Sequence, residues 1–176
     1  FVFRDHWEME RTQQSVRFGD TIAWTHIPAG DPEWLYAFHR HTIFLNLAKA
    51  YRFTQNEVYA KSFVRLATDW LDHVQLTEES SANTWRSLEA GLRMENWLKA
   101  LQLFSGCPAV PQALTDRLLQ SMQVHKDYLL AASGAFQALS NWGVLQDYGL
   151  LLAGIALRDD ACVQTAAMRL ESEIAM

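Results

Sequence analysis

The stretch from Asn83 to Phe104, Asn-Thr-Trp-Arg-Ser-Leu-Glu-Ala-Gly-Leu-Arg-Met-Glu-Asn-Trp-Leu-Lys-Ala-Leu-Gln-Leu-Phe, limits what this chain can become. It is rich in Leu, Ala, Glu, Met and Lys and contains no proline, so it reads as one long helix. At roughly 100° per residue, Arg86, Ala90, Arg93 and Trp97 share a stripe, with Glu89 and Asn96 beside them. Leu88 and Leu92 flank the stripe on one hand, Met94, Leu98 and Leu101 on the other. A surface helix keeps its charges on the side away from the core. Charges set between two apolar flanks instead describe an interior helix with one face open to a cleft. The same spacing also fits a solvated salt-bridge ladder, because Glu89 lies three residues from Arg86 and four from Arg93.

The remaining chain supplies further helices and little else. Asp31-Pro32 is an N-cap followed by a proline at the first helical position. It opens a helix over Glu33 to Tyr51, with Trp34, Phe38, Leu45 and Ala48 at core spacing and His39, Thr42, Asn46 and Lys49 as the polar stripe. His39 and His41 are two apart, which on a helix turns them about 200° from each other, so they cannot share one ion. His39 is a cleft candidate and His41 a packed residue. Thr54-Gln-Asn-Glu57 reads as a capping box ahead of a helix whose Tyr59, Phe63, Leu66, Ala67, Trp70, Leu71 and Val74 form a core face. Ser105-Gly106, then Pro108 and Pro111, end the central helix at Phe104. Another runs from Gln112 to Ser133, with His125 on its apolar stripe. Ser140 caps one that contains Asn141-Trp142-Gly143, and Asp159 or Asp160 begins the last. The first thirty residues are expected to be extended or irregular, with a short helix near Trp7 to Gln14. These long helical patterns joined by short loops give an all-α fold of antiparallel neighbours. A bundle and a segment of an α/α toroid both fit that reading.

At 176 residues the chain has the size of one domain. A formal net charge of -5 gives no general pull on nucleic acid, so an anionic ligand needs a local basic pocket. No apolar run is long enough to span a membrane. Cys107 and Cys162 stand alone without a CxxC, and nothing in the chain indicates a metal or another cofactor. The 7 Trp serve either as glycan platforms or as core. The chain opens on Phe1 and stops at Ile174-Ala-Met176 within a helical pattern. Residues 1–176 are therefore expected to be a single helical domain cut from a longer protein. Its uncovered apolar helix faces would self-associate or dock against the missing C-terminal region.

Three pieces together resemble the N-terminal helical domain of heparinase II/III-like polysaccharide lyases. They are His39-Arg-His41, the run Trp85-Arg86…Glu89-Ala-Gly-Leu-Arg93…Asn96-Trp97, and Ser140-Asn-Trp-Gly143, supported by Thr54…Glu57…Tyr59. The resemblance implies an incomplete α/α toroid whose inner helix ends line a cleft for an acidic polysaccharide or oligosaccharide. It also implies cleavage of a uronate-containing chain by β-elimination. That chemistry must neutralise the uronate carboxylate, stabilise the enolate-like intermediate and remove the C5 proton. By resemblance Asn141 is the catalytic candidate that neutralises the carboxylate. Arg86 and Arg93 bind acidic sugars, held in place by Glu89; Trp142, Trp97 and Trp85 stack on sugar faces; and His39 lines the cleft. Trp142 stands where some relatives carry histidine. The base is expected from a region beyond this chain. Two other readings stay open: a non-catalytic glycan-binding or helical interaction domain, and an α/α-toroid glycosidase. The glycosidase needs two carboxylates across a cleft, for which Glu89, Glu95, Asp69 and Asp147 are available with no pair placed by spacing.

Overall fold

The computed structural model describes residues 2–4, 12, 14–132, 134 and 140–175. A short hairpin pairs β1 (Val2–Arg4) with β2 (Ser15–Arg17) in antiparallel register, Phe3 opposite Val16. Eight helices follow among the described residues: α1 (Pro32–His39), α2 (Thr42–Thr54), α3 (Glu57–His73), the single turn α4 (Glu78–Ser81), α5 (Ser87–Leu103), α6 (Gln112–Ala131), α7 (Asn141–Leu157) and α8 (Asp160–Ile174). The helix expected near Trp7 to Gln14 lies largely outside the described residues.

The hairpins α2/α3, α5/α6 and α7/α8 stand side by side, with α5 packed between α2 and α7. Trp97 of α5 lies by His41 and Phe104 by Tyr51, so α2 and α5 run the same way. Arg86 lies by Trp142, which brings the starts of α5 and α7 to one end. Parallel inner helices α2, α5 and α7, backed by α3, α6 and α8, make an incomplete α/α toroid built of antiparallel hairpins. Backbones of α5 and α7 touch: a Cβ on Gly149 would sit 2.2 Å from the Gly91 carbonyl oxygen, and one on Gly91 2.7 Å from the Gln146 Cα. Only glycine permits that approach. No described helix is long and apolar enough to cross a membrane.

Local signals set most boundaries as expected. The Asp31 side chain accepts from the Glu33 N–H with Pro32 at the first position, and that of Asp159 accepts from the Cys162 N–H. Gly106 (φ 79°) follows the end of α5. Three boundaries differ. Asn56, not Thr54, caps α3, because Gln55 turns left-handed and ends α2 first. The central helix starts at Ser87 instead of Asn83, since a capping box between Thr77 and Ser80 winds the preceding residues into α4 and a turn.

The third difference organises the molecule. The expected single helix from Glu33 to Tyr51 breaks at His41, whose φ of 57° is left-handed. A break leaves carbonyls without helical donors. Here α5 supplies them: Arg93 Nη1 donates to the His39 carbonyl at 2.9 Å, and Asn96 Nδ2 to that of Arg40 at 2.8 Å. The strained backbone at His41 is held by its ring, packed on Phe44 and Trp97.

Candidate functional site

Arg93 extends from the middle of α5 into a closed polar cage. It is fully buried, its Nε donates to His125 Nε2 at 2.9 Å, and Nη1 also donates to the Thr84 carbonyl at 3.1 Å. Its guanidinium lies over the rings of Trp70 and Trp85, 4.7 and 5.1 Å from their centroids. The hydrogen bonds assign three neutral histidines around it. His125 accepts from Arg93, so its proton is on Nδ1 and donates to the Ser121 carbonyl. Trp70 Nε1 donates to His39 Nδ1, leaving His39 Nε2–H for the Trp24 carbonyl. Trp97 Nε1 donates to His41 Nδ1 at 2.8 Å. Burial first, and then the Arg93 charge, hold His39 at a pKa of about 3 against the ordinary 6.5, partly offset by its bond to Trp24. The same two causes keep His41 and His125 well below the ordinary value. Burial likewise lowers the Arg93 pKa to about 9, which leaves it charged at neutral pH.

Arg86, two turns earlier at the N-cap position of α5, meets different company. Its Nε donates to Glu89 Oε2 at 2.7 Å and its Nη2 to Oε1 at 2.8 Å, a bidentate pair. Tyr36 of α1 covers one side of the guanidinium with its ring centroid 3.5 Å from Cζ, and the Trp142 ring lies 4.4 Å from the same atom. Glu89, itself fully buried, also receives Arg40 Nη2 at 3.2 Å. Burial opposes charge on Arg86, but the Glu89 hydrogen bonds and charge outweigh it and raise its pKa. Two cations thus surround one carboxylate, with Glu33 contributing a weaker negative field at Arg86. Beside this cluster α7 begins, with Ser140 at its N-cap position, Asn141 exposed and Trp142 half-buried. The first-turn N–H groups of α7 carry the positive end of the helix dipole. An exposed amide, a part-covered indole and a clamped guanidinium therefore meet at one helix start, an arrangement suited to an anionic group carried on a ring.

The chain matches the Heparinase II/III N-terminus family over residues 2–174. It belongs to that family. Among heparinase relatives, a heparin-sulfate lyase of Bacteroides stercoris is 27% identical over 161 residues, which cover 81% of this chain and 24% of that protein. A heparin-sulfate lyase of Pedobacter heparinus is 29% identical over 64% of this chain and 17% of its own length. The structure of heparan sulfate lyase HepC from Pedobacter heparinus superposes with a TM-score of 0.85 at 24% identity, covering 99% of this chain and 27% of that one. This heparinase-family chain thus spans about a quarter of the length of the relatives it matches.

Within that family fold, the residues picked from the sequence separate into two groups. Asn141, Trp142 and Arg86 come together where α5 and α7 begin. Arg93, Trp97, Trp85 and His39 do not join them. All four are buried with at most 2% of their surface exposed, which corrects the expectation that they touch sugar directly. Arg93 and His39 are occupied by protein groups, Trp97 donates to His41, and Trp85 packs on His125 with ring centroids 4.1 Å apart. Glu89 holds Arg86 as expected, but its second partner is Arg40 and not Arg93. The ladder reading fails on the same ground, since Glu89 is not solvated. Every carboxylate offered for a glycosidase is committed to other groups: Glu95 to Lys99, Asp69 to Trp24 Nε1, Asp147 to Arg169, and Glu89 to its two arginines. Among the described residues no group of three or more metal-ligating side chains gathers.

Tyr36 escaped the sequence reading. Its one signal is that it stands four residues before Arg40 on α1, so both side chains lie on one helix face. Of the described tryptophans only Trp142 keeps appreciable exposure; the other five are core.

Proposed function

We propose that the protein carrying this chain is a polysaccharide lyase that cleaves a uronate-containing glycosaminoglycan of the heparan sulfate class by β-elimination. On this reading the present helical part holds the substrate. Asn141 donates from its amide to the uronate carboxylate, helped by the start of α7, and so lowers the cost of removing the C5 proton. Trp142 offers an apolar face to a sugar ring. Arg86 supplies positive potential from a fixed position, and the base comes from the portion of the relatives' length that this chain does not span. The observation that carries the reading is the exposed Asn141 next to the Arg86–Trp142 pair, in a chain that matches the lyase family almost end to end.

The test is the full-length protein on heparan sulfate, followed by the ultraviolet absorbance of new unsaturated uronate ends. Wild type is expected to generate them. Asn141→Ala should lower the rate by about a hundredfold or more, the usual scale for loss of a group that stabilises developing negative charge. An Asn141→Ala protein with full activity would remove the assignment, and saturated ends would indicate hydrolysis instead. Saturable oligosaccharide binding by wild type with no elimination would favour the non-catalytic domain.

A further inference from the structure

We infer that Tyr36 is a positioning residue for the Asn141 end of α7, acting through Arg86. The inference rests on the lyase reading for its kinetic arm only. Glu89 grips Arg86 along its Nε and Nη2 edge at 2.7 and 2.8 Å. A two-point grip along one edge fixes a planar group within its plane, but leaves it free to hinge out of that plane about the edge. The rings resist that hinge motion. Tyr36 lies at 3.5 Å, a tight contact, and Trp142 at 4.4 Å. Tyr36 comes from α1 and Trp142 from α7, so the guanidinium joins two elements that are distant in sequence. Trp142 is the residue next to Asn141, so the seat of its indole on Arg86 is one of the contacts that set how the start of α7 lies.

The anchoring behind Tyr36 is independent of α7. Arg40, the C-cap residue of α1, also binds Glu89, and its carbonyl is taken by Asn96 of α5. Helix α1 is therefore fastened to α5 at two points, which keeps the Tyr36 ring pressed on Arg86. Removing the ring frees the guanidinium to swing away from Trp142, while its ion pair with Glu89 survives. The ring is what matters, since the Tyr36 hydroxyl makes no described hydrogen bond.

The experiment compares Tyr36→Leu with Tyr36→Phe in the full-length protein. Tyr36→Leu should lower kcat about tenfold with KM changed less than twofold, the scale of one lost positioning contact. Tyr36→Phe, which keeps the ring, should restore kcat to near the wild-type value. Nitrogen-edited NMR gives a readout that needs no turnover. The Trp142 indole N–H should shift in Tyr36→Leu and stay in place in Tyr36→Phe, and in wild type the Arg86 Nε–H should lie upfield from the two rings. A folded Tyr36→Leu protein with unchanged kcat overturns the proposal, as does a Tyr36→Phe protein as impaired as Tyr36→Leu. Should Tyr36→Leu not fold, an Arg86 Nε–H without the upfield shift in wild type overturns it equally. Absence of unsaturated ends with wild type would reject the lyase reading, and the NMR result would still decide the role of Tyr36.

Discussion

Arg86 and Arg93 stand two turns apart on the same side of α5, and their surroundings are opposites. Arg93 is held by neutral groups: two backbone carbonyls, an imidazole nitrogen and the faces of two indoles, with no carboxylate hydrogen-bonded to it among the described residues. Arg86 is gripped by a carboxylate, covered by two rings and left partly open, with 17% of its side chain exposed. Arg93 repairs a break in the neighbouring inner helix, whereas Arg86 marks the end where three elements converge. A charged residue on an interior helix can thus be a structural donor or, as proposed for Arg86, a site residue. Its partners on other elements decide which, and its own helical stripe does not.

Acid should break the Arg93 side first and most heavily. His39, His41 and His125 are neutral in the fold, with pKa values pushed below the ordinary 6.5. Below that pH the unfolded chain binds protons that the folded chain refuses. The stability they contribute is full above about pH 6.5 and is lost as pH falls toward the folded values. Each histidine approaches about 1.4 kcal/mol per pH unit, or about 4 kcal/mol per unit for the three together. Urea unfolding between pH 7.5 and 5 is expected to show this decline. A flat profile would mean that the cage accepts protons.

Gly91 lies between the two arginines, and its contact with Gly149 sets how closely α5 and α7 approach. Gly149→Ala places a Cβ against the Gly91 carbonyl and is expected to cost about 3 kcal/mol, the upper range for overpacking and more than the ~1 kcal/mol of helix propensity it gains. It should disturb the Arg86–Trp142 contact as well, lowering turnover in whatever fraction stays folded. Thermal melts and elimination rates on one preparation test both.

The smallest effect belongs to a third arginine that serves as a control. Arg117 pairs with Asp72 at 2.6 Å, and both side chains are about half exposed. Arg117→Ala should change stability by less than about 1 kcal/mol, and salt should erase even that. A larger loss would mean that burial is not what separates Arg93 from its counterparts.

Much of the fold was legible because its signals are local. Asp31-Pro32, Ser105-Gly106 and Asp159 mark helix ends through side-chain and backbone chemistry confined to a few residues, and apolar spacing located the hairpins. The break at His41 had no such signal. A left-handed histidine is unfavourable by itself and persists only because Arg93, Asn96 and Trp97 from α5 hold both sides of it. For the same reason Arg93 and His39 read as cleft residues from their stripe, yet sit in the core. The meeting of Arg86 with Trp142 depends on the parallel packing of α5 and α7, and Tyr36 joins it only through the docking of α1. Those are tertiary facts that neither period nor propensity encodes.

The most direct measurement sets Arg86→Met beside Arg93→Met in the full-length protein, with thermal stability and elimination rate read on each. Arg93→Met leaves the His39 and Thr84 carbonyls and His125 Nε2 without their donor and is expected to lose about 3 kcal/mol or more of stability. Arg86→Met should remain folded, with Glu89 still held by Arg40, and lose most of its turnover. A stable Arg93→Met protein with altered substrate affinity, beside an Arg86→Met protein of full activity, would contradict the division of α5 into a core arginine and a site arginine.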